Sequence, residues 1–201
     1  SFSTFMNDLE LRRQIFHLAF GLAVVYLIYM GVLTDMAIFL LIIVGFLISL
    51  ISKYARLPLI GWLLDKFERE ENAKTFPGSG MIFFMIGALL SLKLFNENIA
   101  LASIMILAVG DSVSHIIGAE FGTIQNPLSN NGKKLEGTLV GILVGFVAAL
   151  VFVRPLEALL ASVGAMIAEV IELEFNKRPV DDNIVVPLVA GTIILLVRKY
   201  L

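Results

Sequence analysis

The chain contains no cysteine and only two histidines among its 201 residues. The lack of cysteine excludes disulfide bonds, a thiolate nucleophile, and zinc or iron–sulfur centres that depend on cysteine ligands. Two histidines are too few to build a histidine-rich metal cage. Any bound metal ion must therefore be held by oxygen atoms, which favours magnesium or calcium over zinc.

Charge is also scarce. Asp, Glu, Lys and Arg make up 16% of the chain, whereas soluble domains contain roughly 25%. The 15 basic residues are outnumbered by 17 acidic ones, which gives a formal net charge of -2. Because no excess of positive charge exists to bind nucleic acid by counterion release, no nucleic-acid partner is expected.

Hydrophobic residues are abundant and occur in long uncharged runs. They account for 58% of the sequence, and the mean hydropathy is +0.91. Since helices satisfy their own backbone hydrogen bonds in lipid, this pattern predicts an all-α fold, a polytopic membrane helix bundle formed by one domain over residues 1–201. Residues 1–11 lack an initiator Met and a cleavable signal pattern, and are expected to be flexible, truncated or an expression remnant.

Breaks at charged and turn residues divide the chain into about seven candidate transmembrane helices. A helix needs ~20 residues to cross ~30 Å of hydrocarbon, so the last candidate, with 14 residues and Pro187, is short. Residues 58–74 place apolar side chains ahead of a run of acids and bases, which predicts an amphipathic helix in the membrane interface. The seven candidates are residues 15–33, 36–52, 76–92, 99–119, 137–153, 155–171 and 184–197.

Basic residues are distributed unevenly between the two faces that these spans define. Eleven of the 15 lie on the side of the N-terminus and four on the other side. The excess of Lys and Arg in cytoplasmic loops therefore predicts a cytoplasmic N-terminus and a C-terminus outside or in a lumen.

Small residues recur every four positions in two of the predicted spans. This spacing lets helices approach closely in lipid, so both sets are expected to serve mainly in helix packing. One set is Gly110, Ser114, Gly118 and Gly122; the other is Gly137, Gly141, Gly145 and Ala149.

Polar elements cluster at the predicted cytoplasmic face. Residues 12–17, 77–80, 133–138 and 181–183 each precede or open a span there, and free amides at helix N-termini attract phosphate. The fourth span runs the other way and brings Asp111 and His115 to the same side. A carboxylate within a span is costly, which favours a functional role for Asp111.

Most of these polar residues also have a purely structural interpretation. The basic pair before the first span can be an ordinary cytoplasmic flank, and the loop lysines can be solvated charges. A histidine inside a span can donate to a nearby carbonyl, which is the preferred interpretation for His115. Asp182 and Asn183 can be helix caps. Glu169 and Glu172 can pair with Lys177 or Arg178.

Four motifs, in this order and spacing, resemble the polyprenol kinase family, which includes dolichol kinase, phytol kinase and the CTP-dependent diacylglycerol kinase of fungi. They are RRQIFH from residue 12, GDSVSHIIGAEFG from 110, KKLEGTLVG from 133 and DDNIVVPLVAG from 181. That family in turn resembles the phosphatidate cytidylyltransferases, which share its use of CTP and a polar metal-binding motif in the membrane. The resemblance implies one membrane-embedded catalytic domain that transfers the γ-phosphoryl group of CTP, with Mg²⁺, to a polyprenol or another lipid alcohol at the cytoplasmic face.

The resemblance also implies roles for individual residues. Asp111 matches the aspartate expected to hold magnesium, and Lys134 and the pair Ser114 and His115 depart from the commoner residues of the family. Arg12, Arg13 and His17 match the basic and histidine element; Lys133, Glu136, Gly137 and Thr138 match the nucleotide-binding segment; Asp181, Asp182 and Asn183 match the last motif.

The chemistry of phosphoryl transfer suits this set of residues, because it depends mainly on positioning and charge neutralisation. The expected magnesium ligands are Asp111 together with Glu136 or Asp182, with Asp181 as a further candidate. Positive charge and backbone amides for the phosphates are expected from Arg12, Arg13, Lys133, Lys134, Gly137, Thr138 and Asn183. Either His17 or an aspartate at 181–182 would accept the proton of the lipid hydroxyl.

Two other functions remain open from the sequence. The first is cytidylyl transfer to a phosphatidate-like lipid, which would release pyrophosphate instead of CDP. The second is a small transporter whose acidic and histidine side chains line an ion or proton pathway. The outer halves of the spans carry little polar chemistry, and this argues against a continuous pathway.

Overall fold

The computed structural model describes residues 8–55, 57–68, 70–129, 132–171, 174–175 and 178–201, with the backbone alone at 70–71, 174–175 and 178–179. The helices are α1 (Asp8–Tyr29), α2 (Asp35–Tyr54), α3 (Pro58–Phe67), α4 (Glu70–Thr75), α5 (Ser79–Leu94), α6 (Glu97–Met105), a π-helical segment (Ile106–Asp111), α7 (Ser112–Phe121), α8 (Leu135–Ala149), α9 (Pro155–Ile171) and α10 (Asp182–Tyr200). Two short strands, β1 (Glu174–Phe175) and β2 (Arg178–Pro179), form an antiparallel pair. The predicted all-α helix bundle is confirmed.

Among the described residues, four helices are long and apolar enough to cross a membrane: α1, α2, the continuous helix Glu97–Phe121 and α10. Helices α5 and α8 are apolar but shorter. The prediction of a polytopic membrane protein is therefore confirmed, whereas the count of seven spans remains a prediction. The last span is longer than its sequence indicated, because α10 begins at Asp182 and runs through Pro187 for 19 residues.

The predicted single interfacial helix over 58–74 is wrong in one respect, because the structure contains two short helices there. Helix α3 starts with Pro58 in its first turn, where a missing amide hydrogen costs nothing. It ends at Glu68, whose backbone is extended. The Glu68 carboxylate accepts a hydrogen bond of 2.8 Å from the backbone N–H of Gly78. This contact fixes the end of α3 against the start of α5.

The core is built around the continuous helix Glu97–Phe121. In the most apolar stretch of 18 residues of this helix, 72% of the residues are buried, against 17% in the corresponding stretch of α2. Ile99, Leu101, Ile104, Ile106 and Leu107 are fully inaccessible. The other helices pack around this element, so the carboxylate at its π-helical end is held inside the protein.

The two sets of small residues pack against each other, as the sequence predicted. A Cβ atom added to Gly137 would lie 2.4 Å from the carbonyl oxygen of Ser114. One added to Gly141 would lie 2.7 Å from Cβ of Ser114 and 2.9 Å from the carbonyl oxygen of Gly110. Only glycine therefore allows α8 to approach α7 and the π-helical segment this closely. The result is a fixed position for the loop that precedes α8.

Candidate functional site

Asp111 is the last residue of the π-helical segment and is 8% exposed. The wider π turn is a local departure from α-helix geometry of a kind that is frequent at functional sites. One turn later, His115 Nδ1 lies 3.0 Å from the carbonyl oxygen of Asp111 and 3.1 Å from its Oδ1. Because a carbonyl only accepts, Nδ1 donates, and the preferred interpretation of His115 is confirmed. Among the described residues, Oδ1 of Asp111 has no hydrogen-bond partner.

Glu169, near the end of α9, is 1% exposed and faces Asp111 and His115. Its Oε1 accepts a hydrogen bond of 2.6 Å from Lys133 Nζ, and its backbone carbonyl accepts a second of 2.7 Å. Lys133 is thus a partner of Glu169 that the sequence did not indicate, and the pairing with Lys177 or Arg178 stays a prediction because those side chains are not described. Glu172 and Lys177 lie outside the described residues.

These side chains offer a site for a divalent cation. One ligand atom from each of Asp111, His115 and Glu169 can be chosen so that all lie within 4.8 Å of one another. Oδ1 of Asp111 and Oε2 of Glu169 are buried without a hydrogen-bond partner in the part of the chain described. Two such carboxylate oxygens fit a hard cation such as Mg²⁺, which prefers oxygen ligands. The imidazole of His115 donates from Nδ1 to the backbone carbonyl of Asp111, and the same nitrogen contacts Oδ1 at 3.1 Å without forming a hydrogen bond to it.

Lys133 lies between two carboxylates. In addition to Glu169, its Nζ is 3.8 Å from Oδ2 of Asp182 at the start of α10. Burial by itself lowers the pKa of Lys133, but the neighbouring charges of Glu169 and Asp182 outweigh it, and the pKa is raised. Lys133 is therefore positively charged at neutral pH. It joins the loop before α8 to the end of α9 and the start of α10.

The residues of the last polar motif, 181–183, have two different roles: one caps α10 and another faces Lys133. Asp181, not Asp182 or Asn183, is the residue before α10 and caps it. Its Oδ1 accepts hydrogen bonds from the Asn183 backbone N–H at 3.0 Å and from Asn183 Nδ2 at 2.8 Å. Burial raises the pKa of the Asp181 carboxyl. This cap leaves Asp182 to face Lys133.

A polar cavity of about 970 Å³ is lined by Asp111, His115, Lys133, Asp181 and Asp182, whereas Glu169 is buried outside its lining. Of the twelve residues that the sequence predicted as catalytic, nucleotide-binding or metal-binding, seven line this cavity: Arg13, His17, Asp111, Lys133, Asp181, Asp182 and Asn183. The Nε2 atom of His17 is buried and has no hydrogen-bond partner among the described residues, and its ring packs edge-on against Phe84 with centroids 5.1 Å apart. Arg13 also pairs with Glu10 at 2.5 Å.

The remaining predicted residues do not line the cavity. Arg12 is exposed on α1, and Lys134 immediately precedes α8 and packs against Gly122. Glu136 lies on the outside, where one of its oxygens accepts hydrogen bonds from the Thr123 N–H at 2.8 Å, the Thr123 hydroxyl at 2.6 Å and the Ile124 N–H at 2.9 Å. Glu136 therefore holds the loop after α7 and is not brought to Asp111.

The other two residues of this motif are also engaged in packing. Gly137 lies against α7, as described above, and Thr138 accepts a hydrogen bond of 3.0 Å from Asn126 Nδ2. Of the segment KKLEGT, only Lys133 lines the polar cavity.

Two buried carboxylates at or beside the polar cavity were not selected as site residues from the sequence. Glu169 carried a signal, because it is an ionisable residue inside a predicted span. Glu68 gave none, since it stands in a charged run typical of a solvated helix face. In the structure Glu68 lines the polar cavity, and burial raises its pKa.

The fold and the polar cavity define a polytopic membrane protein with a carboxylate-rich site where α1, α5 and α10 begin. An uncharacterized protein of Methanocaldococcus jannaschii is 31% identical over 188 residues, which cover 92% of each chain. The chain belongs to the same protein family as this archaeal protein. No family model matches the chain, and no solved structure matches it.

Fungal lipid kinases are more distant relatives. The CTP-dependent diacylglycerol kinase 1 of Saccharomyces cerevisiae is 26% identical over 157 residues, covering 75% of this chain and 53% of the yeast protein. The protein of the same name from Schizosaccharomyces pombe is 33% identical over 85 residues, covering 42% of this chain and 37% of the relative. The chain thus spans about half the length of the budding-yeast kinase. The similarity to these fungal kinases is therefore a similarity to part of each of them.

Proposed function

We propose that this protein is a CTP-dependent lipid kinase that transfers the γ-phosphoryl group of CTP to the hydroxyl of a lipid alcohol at the cytoplasmic membrane face. The observation that supports this most is the convergence of Asp111, Asp182 and Lys133 in the lining of one polar cavity at the ends of membrane helices, with Glu169 buried behind Lys133. Three relatives carry the name CTP-dependent diacylglycerol kinase. The sequence-based resemblance favours a polyprenol as the acceptor.

The carboxylates would bind the metal ion and the lysine would bind the phosphates of the nucleotide. Asp111 and Glu169 would hold Mg²⁺ through their unpaired oxygens, with Asp182 as a further oxygen donor close to Lys133. When bound, Mg²⁺ supplies charge neutralisation to the β- and γ-phosphates. Lys133 and Arg13 would place positive charge at the transferred group. Glu169 keeps Lys133 in the cavity until phosphate competes for its ammonium group.

The transfer step requires a base for the acceptor. The hydroxyl oxygen of the lipid forms a bond to the γ-phosphorus while the bond from that phosphorus to the β–γ bridging oxygen breaks, and CDP leaves. The hydroxyl proton passes to a nearby base. His17 and Asp182 both line the polar cavity. His17 is the better candidate, because its Nε2 has no hydrogen-bond partner among the described residues, whereas Asp182 is close to Lys133.

The test is a product analysis with purified protein, Mg²⁺ and CTP labelled in its γ-phosphate. The acceptors are dolichol, geranylgeraniol, phytol and diacylglycerol, each in mixed micelles. A kinase gives labelled phospholipid and CDP. Label in pyrophosphate, with a phosphatidic acid acceptor added, would instead show a cytidylyltransferase. Ion flux into proteoliposomes without any nucleotide-dependent product would show a transporter. Either of the last two results would overturn the proposal, as would the absence of labelled lipid with all four acceptors.

A further inference from the structure

A second cavity, of about 330 Å³, adjoins the polar one and lies among α1, α2, α3 and α5. Its lining is almost entirely aliphatic and aromatic; we call it the apolar groove. Four residues line both the polar cavity and the apolar groove: Phe20, Leu63, Leu64 and Met81. The two spaces therefore share one continuous wall, polar at one end and apolar at the other.

Helix α1 shows the change along a single element. Arg13 and His17 line the polar cavity, Phe20 lines both, and Ala23 and Leu27 line the apolar groove. At 1.5 Å per residue, His17 and Leu27 are ~15 Å apart along the axis, which is about half of the ~30 Å hydrocarbon thickness. The groove thus begins one turn beyond His17 and runs into the depth expected for lipid chains.

Helix α3 lies across the same junction. Ile60 lines the apolar groove, Leu63 and Leu64 line both spaces, and Phe67 and Glu68 line the polar cavity. This short helix is therefore placed to contact both the polar head and the apolar chain of a ligand that occupies the two spaces. A wholly polar nucleotide would occupy the first space only.

The apolar groove is open on the side that faces the surroundings of the bundle. Leu27 is 37% exposed and Leu41 is 50% exposed, although both line the groove. Both residues belong to helices long and apolar enough to cross a membrane. A hydrocarbon chain can therefore enter sideways from the bilayer.

We propose that the apolar groove binds a single hydrocarbon chain of the acceptor, namely the part next to its hydroxyl group. The inference rests on the proposed kinase function and adds the acceptor's binding site. The occupant is a lipid chain because the groove adjoins, across four shared lining residues, the cavity that would hold the reacting hydroxyl. Only the first ~10 to 15 Å of chain fits, since this is the distance from Phe20 or His17 to Leu27. The rest of a long chain stays in the bilayer, and a second chain has no place in the groove.

In the kinetic test, a larger side chain fills the groove, and acceptors with chains of different length are compared. Ala23→Phe places a ring in the apolar groove, whereas Ala19→Phe, also on α1 and exposed, lines neither space. For a series of isoprenoid alcohols, the KM of the wild type should fall with length and then level off once the chain fills the groove. Ala23→Phe should raise the KM for long acceptors about tenfold or more. It should leave the KM for CTP unchanged, and Ala19→Phe should change neither value.

A second measurement covers the case in which Ala23→Phe does not fold or the wild type shows no kinase activity. The wild type in nanodiscs is irradiated with a long-chain alcohol that carries a diazirine near its hydroxyl end, and the labelled peptides are identified. Labelling of α1 between Phe20 and Leu27 and of the facing part of α2, competed by unlabelled alcohol, supports the groove.

The outcomes separate the two proposals. Labelling in the groove without phosphorylation of any acceptor would overturn the kinase proposal and leave the lipid site standing. An active wild type would overturn the groove if Ala23→Phe behaves like Ala19→Phe at all chain lengths, or if the diazirine labels only the outer surface. If the KM for diacylglycerol depends equally on the lengths of both of its chains, the single-chain assignment is overturned.

Discussion

Lys133 Nζ lies 2.6 Å from Oε1 of the buried Glu169, in an ion pair between residues 36 positions apart. The pair links the loop before α8 to the end of α9 and keeps a positive charge beside the carboxylates of the polar cavity. Its two members have different expected roles. Glu169 faces the candidate metal site, and Lys133 faces the space for phosphate.

Removing one member of this pair should cost stability as well as activity. Lys133→Met leaves the Glu169 charge buried without its partner, and we expect a loss of about 3–5 kcal/mol in the free energy of unfolding. The double variant Lys133→Met with Glu169→Leu should recover most of that loss but no CTP turnover. Denaturation in detergent and turnover assays measure the two effects. If the double variant regains turnover, the pair is purely structural.

Asp111→Asn should abolish turnover and leave the fold intact. We expect a loss of at least ~100-fold, because a charge that holds and neutralises the transferred group is removed. Mg²⁺ should raise the melting temperature of the wild type, since a ligand that binds only the folded state stabilises it, and this increase should vanish in the variant.

The control for this variant is Asp35→Asn, whose ion pair with Lys93 is exposed and remote from the polar cavity. An exposed pair contributes about 0–1 kcal/mol, so turnover and the Mg²⁺ effect should persist. Equal Mg²⁺ stabilisation in Asp111→Asn and the wild type would remove Asp111 from the metal site.

Glu136→Gln should separate the structural and nucleotide-binding interpretations of the segment KKLEGT. Its carboxylate accepts three hydrogen bonds from Thr123 and Ile124, so the substitution should speed amide hydrogen exchange in the loop after α7 and lower the melting temperature. Turnover should fall less than about tenfold, in contrast to Lys133→Met. A collapse of turnover with unchanged hydrogen exchange would restore Glu136 as a metal ligand.

Gly137→Ala should destabilise the contact between α7 and α8. The added Cβ atom would meet the carbonyl oxygen of Ser114 at 2.4 Å, and a forced shift of this kind costs about 1–3 kcal/mol. Gly80→Ala is the matched control, because a Cβ atom there has no neighbour within 4 Å. The two free energies of unfolding should differ clearly. Equal values would mean that the helices separate without cost.

The orientation of the chain can be tested with single cysteines, since the natural sequence has none. Leu128 lies in the loop after α7 and is 53% exposed, and Asn98 lies at the start of α6. In right-side-out vesicles, a membrane-impermeant maleimide should label Asn98→Cys but not Leu128→Cys. Inverted vesicles should give the opposite result. Labelling of both from one side would contradict the predicted topology.

Several local features of this protein could be predicted from the sequence. Apolar runs of near-membrane length predicted the helices, because each helix satisfies its own hydrogen bonds and needs only a suitable composition. The spacing of Gly137 and Gly141 predicted a close helix contact, because small residues at four-residue intervals share one helix face. The contact of His115 with the Asp111 carbonyl was predictable because both lie on one turn.

Other features were decided only by tertiary structure. The sequence could not show that Lys133 enters the polar cavity while Glu136, three residues later, points to the outside, because this depends on how α8 is turned against α7. Nor could it show that Glu169 meets Lys133, since composition says nothing about which distant elements pack together. A charge inside a membrane helix reveals that a partner is needed, but only the folded chain shows which partner it has.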